Sequence, residues 1–500
     1  MTLASRVLGL AREMAYGYFF GISTQLSEFR IAFLIPNLTR RLFGEGALTS
    51  AFIPVFAKCR NSDGDEAAKR LAGGVVTLVA VILTTLLVFA EIGLLIAQWN
   101  SPRPVIHLTI ILLPYMVLIC LTATLAGVLN SLHRFAAPAL APILLNVIII
   151  GTTWFGGKWL DLNQQDHFIL IAFSVLAAGV VQVTIQVLWL KSINFSIIPN
   201  FDWRSPQVMR VIKLTIPMIV GASAIQLNTL IDSLIAYLLV KDGEGPATLG
   251  YAQQLGYLPL GVFSTAIATA IFPLLSERVA EDDEIGFAKS LDSGLRTSLF
   301  FAIPSAVGLI MTAPLLVRLA FERGEFNSAD SERVVAAMVC YCLGLWAFAL
   351  QQILVRGYYA KENTKTPIRI SLAMVGLNFL LNIILVQTAL REAGVALATA
   401  ITASLQVGLL AMCLRNNICE FRWASTAWSG FKACVAAAVM AGVLWLLSES
   451  SGVGSTLPIG DGLRLALSVA VGAIVFAIVS RILRCDELDI LMRKQISMRE

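Results

Sequence analysis

The chain has 500 residues, 57% of them hydrophobic and only 14% charged, with a formal net charge of +5 and a mean hydropathy of +0.78. This balance excludes a string of soluble domains and describes an all-α polytopic membrane protein, since no polar block is long enough for a separate soluble domain. The positive excess lies on short loops between apolar runs, so it marks membrane topology and gives no reason to expect a nucleic-acid partner.

A spanning helix needs about 20 apolar residues. Fourteen candidate spans follow one another at approximately 3–23, 29–57, 72–98, 104–131, 138–156, 167–190, 208–240, 247–276, 290–320, 334–360, 367–389, 393–414, 427–447 and 462–483. Span 1 carries Arg6, Arg12 and Glu13, so it does not read as a cleavable signal peptide. By helical spacing Arg6 and Glu13 share a face and Arg12 sits well round from them. Arg6 stands at the cytoplasmic mouth, within snorkelling reach of the surface, whereas Arg12 and Glu13 are deep enough to face a wet cavity. Span 2 holds Arg40, Arg41 and Glu45 within the apolar run 34–58. A charge at bilayer depth costs at least ~2.5 kcal/mol on insertion scales, so such groups face water or a partner. Arg41 and Glu45 are four apart and can pair along one helix face. Arg40 points about 100° away and calls for something else, an anionic ligand. Glu28 and Arg30 open this span near the outer surface, where interfacial placement accounts for them about as well as function does.

Glu91 in span 3 is deep enough to need a partner or a proton. In span 7, Asn228 and Asp232 are four apart and share one polar face. Asp232 can neutralise by taking up a proton, which makes the pair a candidate ion-coupling site; interhelical hydrogen bonding is the alternative. Span 8 offers only Gln253 and Gln254 beside Tyr251 and Tyr257. The buried positive charge therefore sits in the N-terminal half, which points to an anionic group handled there. There is no GxxxxGK phosphate loop, HExxH or Rossmann glycine run, and no nucleophile–base pair. The expectation is a transporter and not an enzyme, with no cofactor or metal. The eight cysteines form no CxxC or zinc spacing and read as reduced apolar fillers.

With both termini cytoplasmic, the inner loops carry 24 Lys and Arg residues and the outer loops 7, which fixes the orientation by the positive-inside rule. The chain also repeats itself. AFIPVFAK (51–58) matches AIFPLLSE (270–277), Tyr115 matches Tyr341, and Pro138 with Asn146 matches Pro367 with Asn378. Two six-helix lobes around a central cavity, residues 1–191 and 192–415, account for the repeat; such internal repeats serve alternating access. Two extra helices over 416–484 and a cytoplasmic tail over 485–500 complete the chain.

SRVLGLARE (5–13), IPNLTRRLFGEGALTSAFIPVF (35–56), RGEFNSADSER (323–333) and YYAKENTKTPIRI (358–370) resemble signature stretches of the MurJ/MviN lipid II flippases. These belong to the multidrug/oligosaccharidyl-lipid/polysaccharide exporter superfamily. The resemblance covers nearly the whole chain. It implies a V-shaped cavity between the lobes, with the last two spans lining a groove for the polyprenyl tail. It also implies transfer of lipid II, an undecaprenyl-pyrophosphate-linked disaccharide peptide, from the inner to the outer leaflet of the bacterial cytoplasmic membrane. Membrane potential or a coupling ion would drive the step. Matched by motif, Arg6 and Arg12 are the span 1 arginines, Glu13 their acidic neighbour, and Arg40 the essential span 2 arginine, followed by Arg41 and Glu45. Several guanidiniums suit a pyrophosphate, which they hold by charge-assisted hydrogen bonds. The chain starts later in span 1 than the family pattern does. Ser27 occupies the place of an acid before span 2, and Gln254 and Tyr257 stand where many members carry an arginine and an acid in span 8. The other readings are export of a different polyprenyl-linked glycan or an amphipathic drug, and a non-transporting scaffold of the same fold.

Overall fold

The computed structural model describes residues 2–44, 47–417, 423–450 and 458–488. Among these, seventeen α-helices follow one another without a strand. They are α1 (Thr2–Phe20), α2 (Thr24–Thr39), α3 (Ala47–Asn100), α4 (Pro104–Leu112), α5 (Tyr115–Ser131), α6 (Ala136–Lys158), α7 (Gln164–Ser192), α8 (Pro206–Leu239) and α9 (Gly245–Gly256). Then come α10 (Thr265–Ala280), α11 (Glu284–Phe321), α12 (Ser328–Leu343), α13 (Leu345–Ala360), α14 (Lys365–Val386), α15 (Glu392–Asn417), α16 (Trp423–Ser450) and α17 (Pro458–Ile482). Local chemistry sets many of the starts. Ser23, Asn163 and Asp283 cap α2, α7 and α11 by accepting a backbone N–H, and Asn327 forms a capping box with Asp330 at α12.

Among the described residues, ten helical segments are long and apolar enough to cross a membrane on their own, eleven counting the bent pair α12–α13. The fourteen expected spans map onto the helices once three features are allowed for: Arg6, Arg12 and Glu13 interrupt α1, α3 holds the end of span 2 and all of span 3, and α8, which holds span 7, is not among the eleven. The break within α3 falls at Gly64, where φ is 84° and ψ 178°, a conformation that glycine adopts without steric cost. The α12–α13 bend is 42°. At this bend a Cβ on Gly344 would lie 2.8 Å from Ala400, so the absent side chain lets the chain approach α15 closely.

Spans 2 and 8 are not the continuous α-helices expected from their apolar runs. A π-helical turn, Arg40–Gly44, separates α2 from α3, and a second, Leu260–Ser264, separates α9 from α10. Each follows a proline, Pro36 or Pro259, whose missing N–H loosens the helical ladder. Arg40 and Arg41 therefore stand on a π-helical turn and not on the α-helix expected for them.

The chain groups into two compact units, Met1–Tyr237 with Lys241–Ala247, and Leu238–Val240 with Thr248–Glu500. By spatial grouping α8 as far as Tyr237 falls in the first unit, past the division expected at 191/192. Tyr237 donates to Glu28, Thr24 donates to the Asp242 carbonyl, and the Ala247 N–H donates to Ser27. In the first unit α1 packs on α6, α2 on α4, and α5 on α3 and α7, with Leu26, Ala32, Phe56, Phe168 and Val175 fully buried.

In the second unit α11 packs on α12, α13 and α16, and α14 on α15. Helices α16 and α17 pair with each other, and Phe300 of α11 is buried with Met440 and Phe476 in one apolar cluster. Polar contacts close both ends of this packing. Arg296 pairs with Asp486 and Glu487 at one end, and Arg318 pairs with Asp461 at the other. Arg296 and Arg318 lie about 33 Å apart along α11 at 1.5 Å per residue, close to the ~30 Å hydrocarbon thickness. The charges thus bracket the apolar stretch and leave the middle to packing.

Candidate functional site in the first unit

The most concentrated buried charge in the first unit lies where α1, α2 and α6 meet. Glu13, 5% exposed, uses both carboxylate oxygens. One accepts from the Arg12 guanidinium at 2.8 Å and the other from Arg30 of α2 at 2.5 Å. Arg12 also donates to the Asn146 side-chain oxygen of α6 at 3.1 Å. The Asn146 amide nitrogen donates to the Pro142 carbonyl at 3.0 Å and the Ser5 carbonyl at 3.4 Å, so the oxygen is the end left for Arg12. Aromatic packing walls the cluster: Tyr16 meets Phe29 with ring centroids 6.1 Å apart, and the Arg12 guanidinium lies 5.9 Å from the Tyr16 ring. Removing either arginine from such a cluster strips charge compensation from a buried carboxylate, the costly way to break a buried ion pair.

This arrangement corrects the helical-wheel reading of span 1. Arg12 does not sit apart from Glu13; its long side chain curls back onto its neighbour. Arg6 is half-buried near the start of α1, and Arg12 and Arg30 keep 22% and 18% side-chain exposure. Arg40 is half-buried in the π-helical turn and donates from Nε to the Asn37 side-chain oxygen at 3.1 Å, whereas Arg41 is exposed. Arg40 therefore has a neutral acceptor of its own. Glu45 lies outside the described residues.

Asn228 and Asp232 do meet: the amide donates to the carboxylate at 3.0 Å, and Asp232 is 7% exposed. One oxygen of Glu91 is buried with no hydrogen-bond partner among the described residues. In the second unit Gln254 is half-buried on α9. Its neighbour Gln253 donates to the Tyr341 hydroxyl at 2.8 Å, and Tyr257 packs edge-on against Tyr341. Among the described residues, no group of three or more His, Cys, Asp or Glu side chains is placed to hold a metal ion.

Arg30 and Asn146 are the site residues that sequence reasoning left without a role. A signal for Arg30 was present. The α1–α2 turn centres on Ile22, with Gly21 at φ 55°, and Glu13 and Arg30 lie at nearly equal distances from it along the chain. Residues equidistant from a helical hairpin's turn come to the same depth.

Multiple membrane-length helices, with guanidiniums held inside the first unit, define a polytopic helical membrane protein. The fold is a shared one: an inward-facing multidrug resistance MATE family transporter of the MOP superfamily superposes with a TM-score of 0.69 at 13% identity, over 83% of this chain and 94% of that one. The chain belongs to the MurJ lipid II flippase family. The family profile described as "Lipid II flippase MurJ" matches residues 16–460. A Vibrio cholerae protein described as a probable lipid II flippase MurJ is 33% identical over 466 residues, 89% of this chain and 87% of that protein. A Rhizobium tropici protein of the same description is 32% identical over 96% of this chain and 92% of its own length. A solved structure of a lipid II flippase MurJ in an inward closed conformation superposes with a TM-score of 0.78 at 25% identity, covering 97% of this chain and 98% of that one.

Proposed function

We propose that the protein flips lipid II from the inner to the outer leaflet of the bacterial cytoplasmic membrane by alternating access, supplying precursor for cell-wall synthesis. The observation that carries the reading is the Arg12–Glu13–Asn146 cluster. It holds a guanidinium at a fixed orientation inside a membrane helix, in a chain that matches the flippase family along most of its length. A lipid-linked diphosphate is the anion that such a group suits, because paired N–H donors match phosphate oxygens in geometry and charge. Arg12, Arg40 and Arg41 bind the diphosphate, Arg6 meets it at the cytoplasmic mouth, and both termini are cytoplasmic. Energy comes from the membrane potential or from an ion taken up at Asp232 beside Asn228. Gln254 contributes a neutral hydrogen-bonding group in the second unit.

The test is replacement of the native flippase in a depletion strain. The unaltered chain is expected to sustain growth and keep lipid II in the outer leaflet, and Arg40→Ala is expected to fail at equal membrane abundance. Inner-leaflet accumulation of lipid II despite the unaltered chain would refute the function, and full activity of Arg40→Ala would remove that residue from the site.

A further inference from the structure

Between α6 and α7 the first unit leaves an open groove of about 390 Å³, lined by Gly151, Thr152 and Phe155 of α6 and by α7 from Leu170 to Ala177. The Ser174 hydroxyl in its wall donates to the Ile171 carbonyl at 2.7 Å, turning that polar group onto its own helix. Phe155 and Phe173 flank the opening, 48% and 54% exposed. Gly151 keeps the groove clear: a Cβ there would meet nothing within 4 Å. Glycine weakens a helix interior, and no neighbouring atom of this chain requires one here. Charge and aromatic rings gather at the end of α6 beyond the groove. Lys158 is seven residues from Gly151, on the same face and about 10 Å further along the helix. Its ammonium lies 5.8 Å from the Tyr18 ring, Tyr18 stacks on Trp154 with centroids 5.6 Å apart, and Trp159 is 81% exposed. Such rings mark a membrane–water interface. Asp161 follows three residues later, also exposed. Among the described residues, Lys158 and Asp161 enter no ion pair, whereas Asp166 accepts from the Asn163 amide at 2.7 Å.

We propose that this groove binds a zwitterionic glycerophospholipid, with one acyl chain lying between α6 and α7, the phosphate at Lys158 and the headgroup ammonium at Asp161. The groove runs about 10 Å along α7 at 1.5 Å per residue, within the ~15 Å that one leaflet gives a chain, half of the ~30 Å hydrocarbon thickness. A lipid that stays in one leaflet therefore has the reach to fill the groove and meet the charges beyond it. One cation and one carboxylate match a phosphate and an ammonium carried on one headgroup. A headgroup of net negative charge meets Asp161 and Asp166 as well as Lys158, so it gains less. A second copy of the chain is the poorer occupant, because two spanning helices pack through small residues along their seam and Phe155 and Phe173 project at this one. With both termini cytoplasmic, as proposed above, the lipid comes from the outer leaflet. The site is separate from the cargo reading, and its test involves no lipid II.

The experiment titrates the purified full-length protein in detergent with dioleoyl phosphatidylethanolamine or dioleoyl phosphatidylglycerol and counts bound lipids by native mass spectrometry. The unaltered chain is expected to hold one phosphatidylethanolamine about threefold or more tighter than phosphatidylglycerol, the scale of an exposed charge pair. Gly151→Phe fills the groove and is expected to weaken that lipid by about tenfold or more, because its chain loses apolar contact. Lys158→Gln is expected to weaken it by about threefold at low salt and less at high salt. Asp161→Asn suits the left-handed backbone at this position, where φ is 48°, and is expected to abolish the preference between the two headgroups. Thermal unfolding identifies a folding defect; should Gly151→Phe unfold, Ala177→Phe fills the same groove from α7 and decides. Unchanged phosphatidylethanolamine binding in the groove variant that folds means a nonspecific lipid shell and overturns the proposal. Equal binding of both lipids by the unaltered chain overturns the headgroup assignment. A dimer of the unaltered chain that the groove variant dissociates, with no lipid retained, gives the site to a second copy and overturns the proposal as well.

Discussion

The two units use matching backbone devices and opposite electrostatics. Each has a π-helical turn, RRLFG at Arg40–Gly44 and LGVFS at Leu260–Ser264, followed by a helix with an internal proline, Pro54 or Pro273. Each buries a tyrosine at a corresponding place, Tyr115 at 1% and Tyr341 at 0% exposure, and an asparagine, Asn146 at 6% and Asn378 at 1%. The partners differ. Asn146 receives a guanidinium from Arg12, whereas Asn378 accepts from Asn382 at 2.8 Å and donates to Thr402 at 3.4 Å. The repeat thus supplies geometry twice, and charge has been added to one copy. In the second copy the Asn378 side chain is held by neutral amide and hydroxyl groups. In the charged copy Asn146 and Glu13 hold Arg12 between them.

The largest break in this contrast is expected from Arg12→Ala. It removes a charged hydrogen-bonding group worth about 1.5–3 kcal/mol and leaves Asn146 and half of the Glu13 carboxylate facing a void. Lipid II binding should fall by one to two orders of magnitude on that scale, and complementation should be lost. A smaller, paired effect distinguishes the two asparagines. Asn146→Leu should reduce transport with modest loss of stability, because Arg12 keeps Glu13 but loses its second tether. Asn378→Leu should do the reverse, leaving the Asn382 amide without its acceptor at a cost of about 1–3 kcal/mol. Melting temperature in detergent and flipping in vesicles, measured on both variants, read the two axes. If Asn378→Leu abolished flipping without loss of stability, the second unit's polar cluster would be functional and the contrast would be wrong.

How much of this was legible in the sequence depends on the length scale of the cause. The helices were legible because bilayer thickness fixes the length of an apolar run, and no long-range contact is needed to count them. The π-helical turns were not: π and α segments share composition, and a single proline bends as often as it breaks. Asp232 with Asn228 was legible as an i, i+4 pair on one helix. Arg12 with Asn146 was not, because the two are separated by 134 residues and only packing of α1 on α6 joins them. Arg30 lay between these cases: its distance from the Gly21 turn matched that of Glu13, but near the start of a helix its charge was equally well read as interfacial. The same holds for Arg296 and Arg318, whose shortest ion pairs are with residues beyond 460 and form only when α11 packs against α16 and α17.

The smallest expected effect is the most informative about the neutral copy. Gln254→Ala removes a half-buried, uncharged amide, so it forfeits at most an ordinary hydrogen bond of about 0.5–1.5 kcal/mol, a few-fold in flipping rate. That is well below the loss expected from Arg12→Ala, because a neutral amide gains little on contact with a diphosphate compared with a guanidinium. Both variants belong in one vesicle assay at matched protein density, with salt varied. The Arg12→Ala loss should come with a weaker salt dependence than in the unaltered chain, since it removes a charge–charge contact that ions screen, whereas Gln254→Ala should leave the salt dependence unchanged. If Gln254→Ala matched Arg12→Ala in depth, the amide would be doing an arginine's work, and charge would no longer mark where this protein binds its cargo.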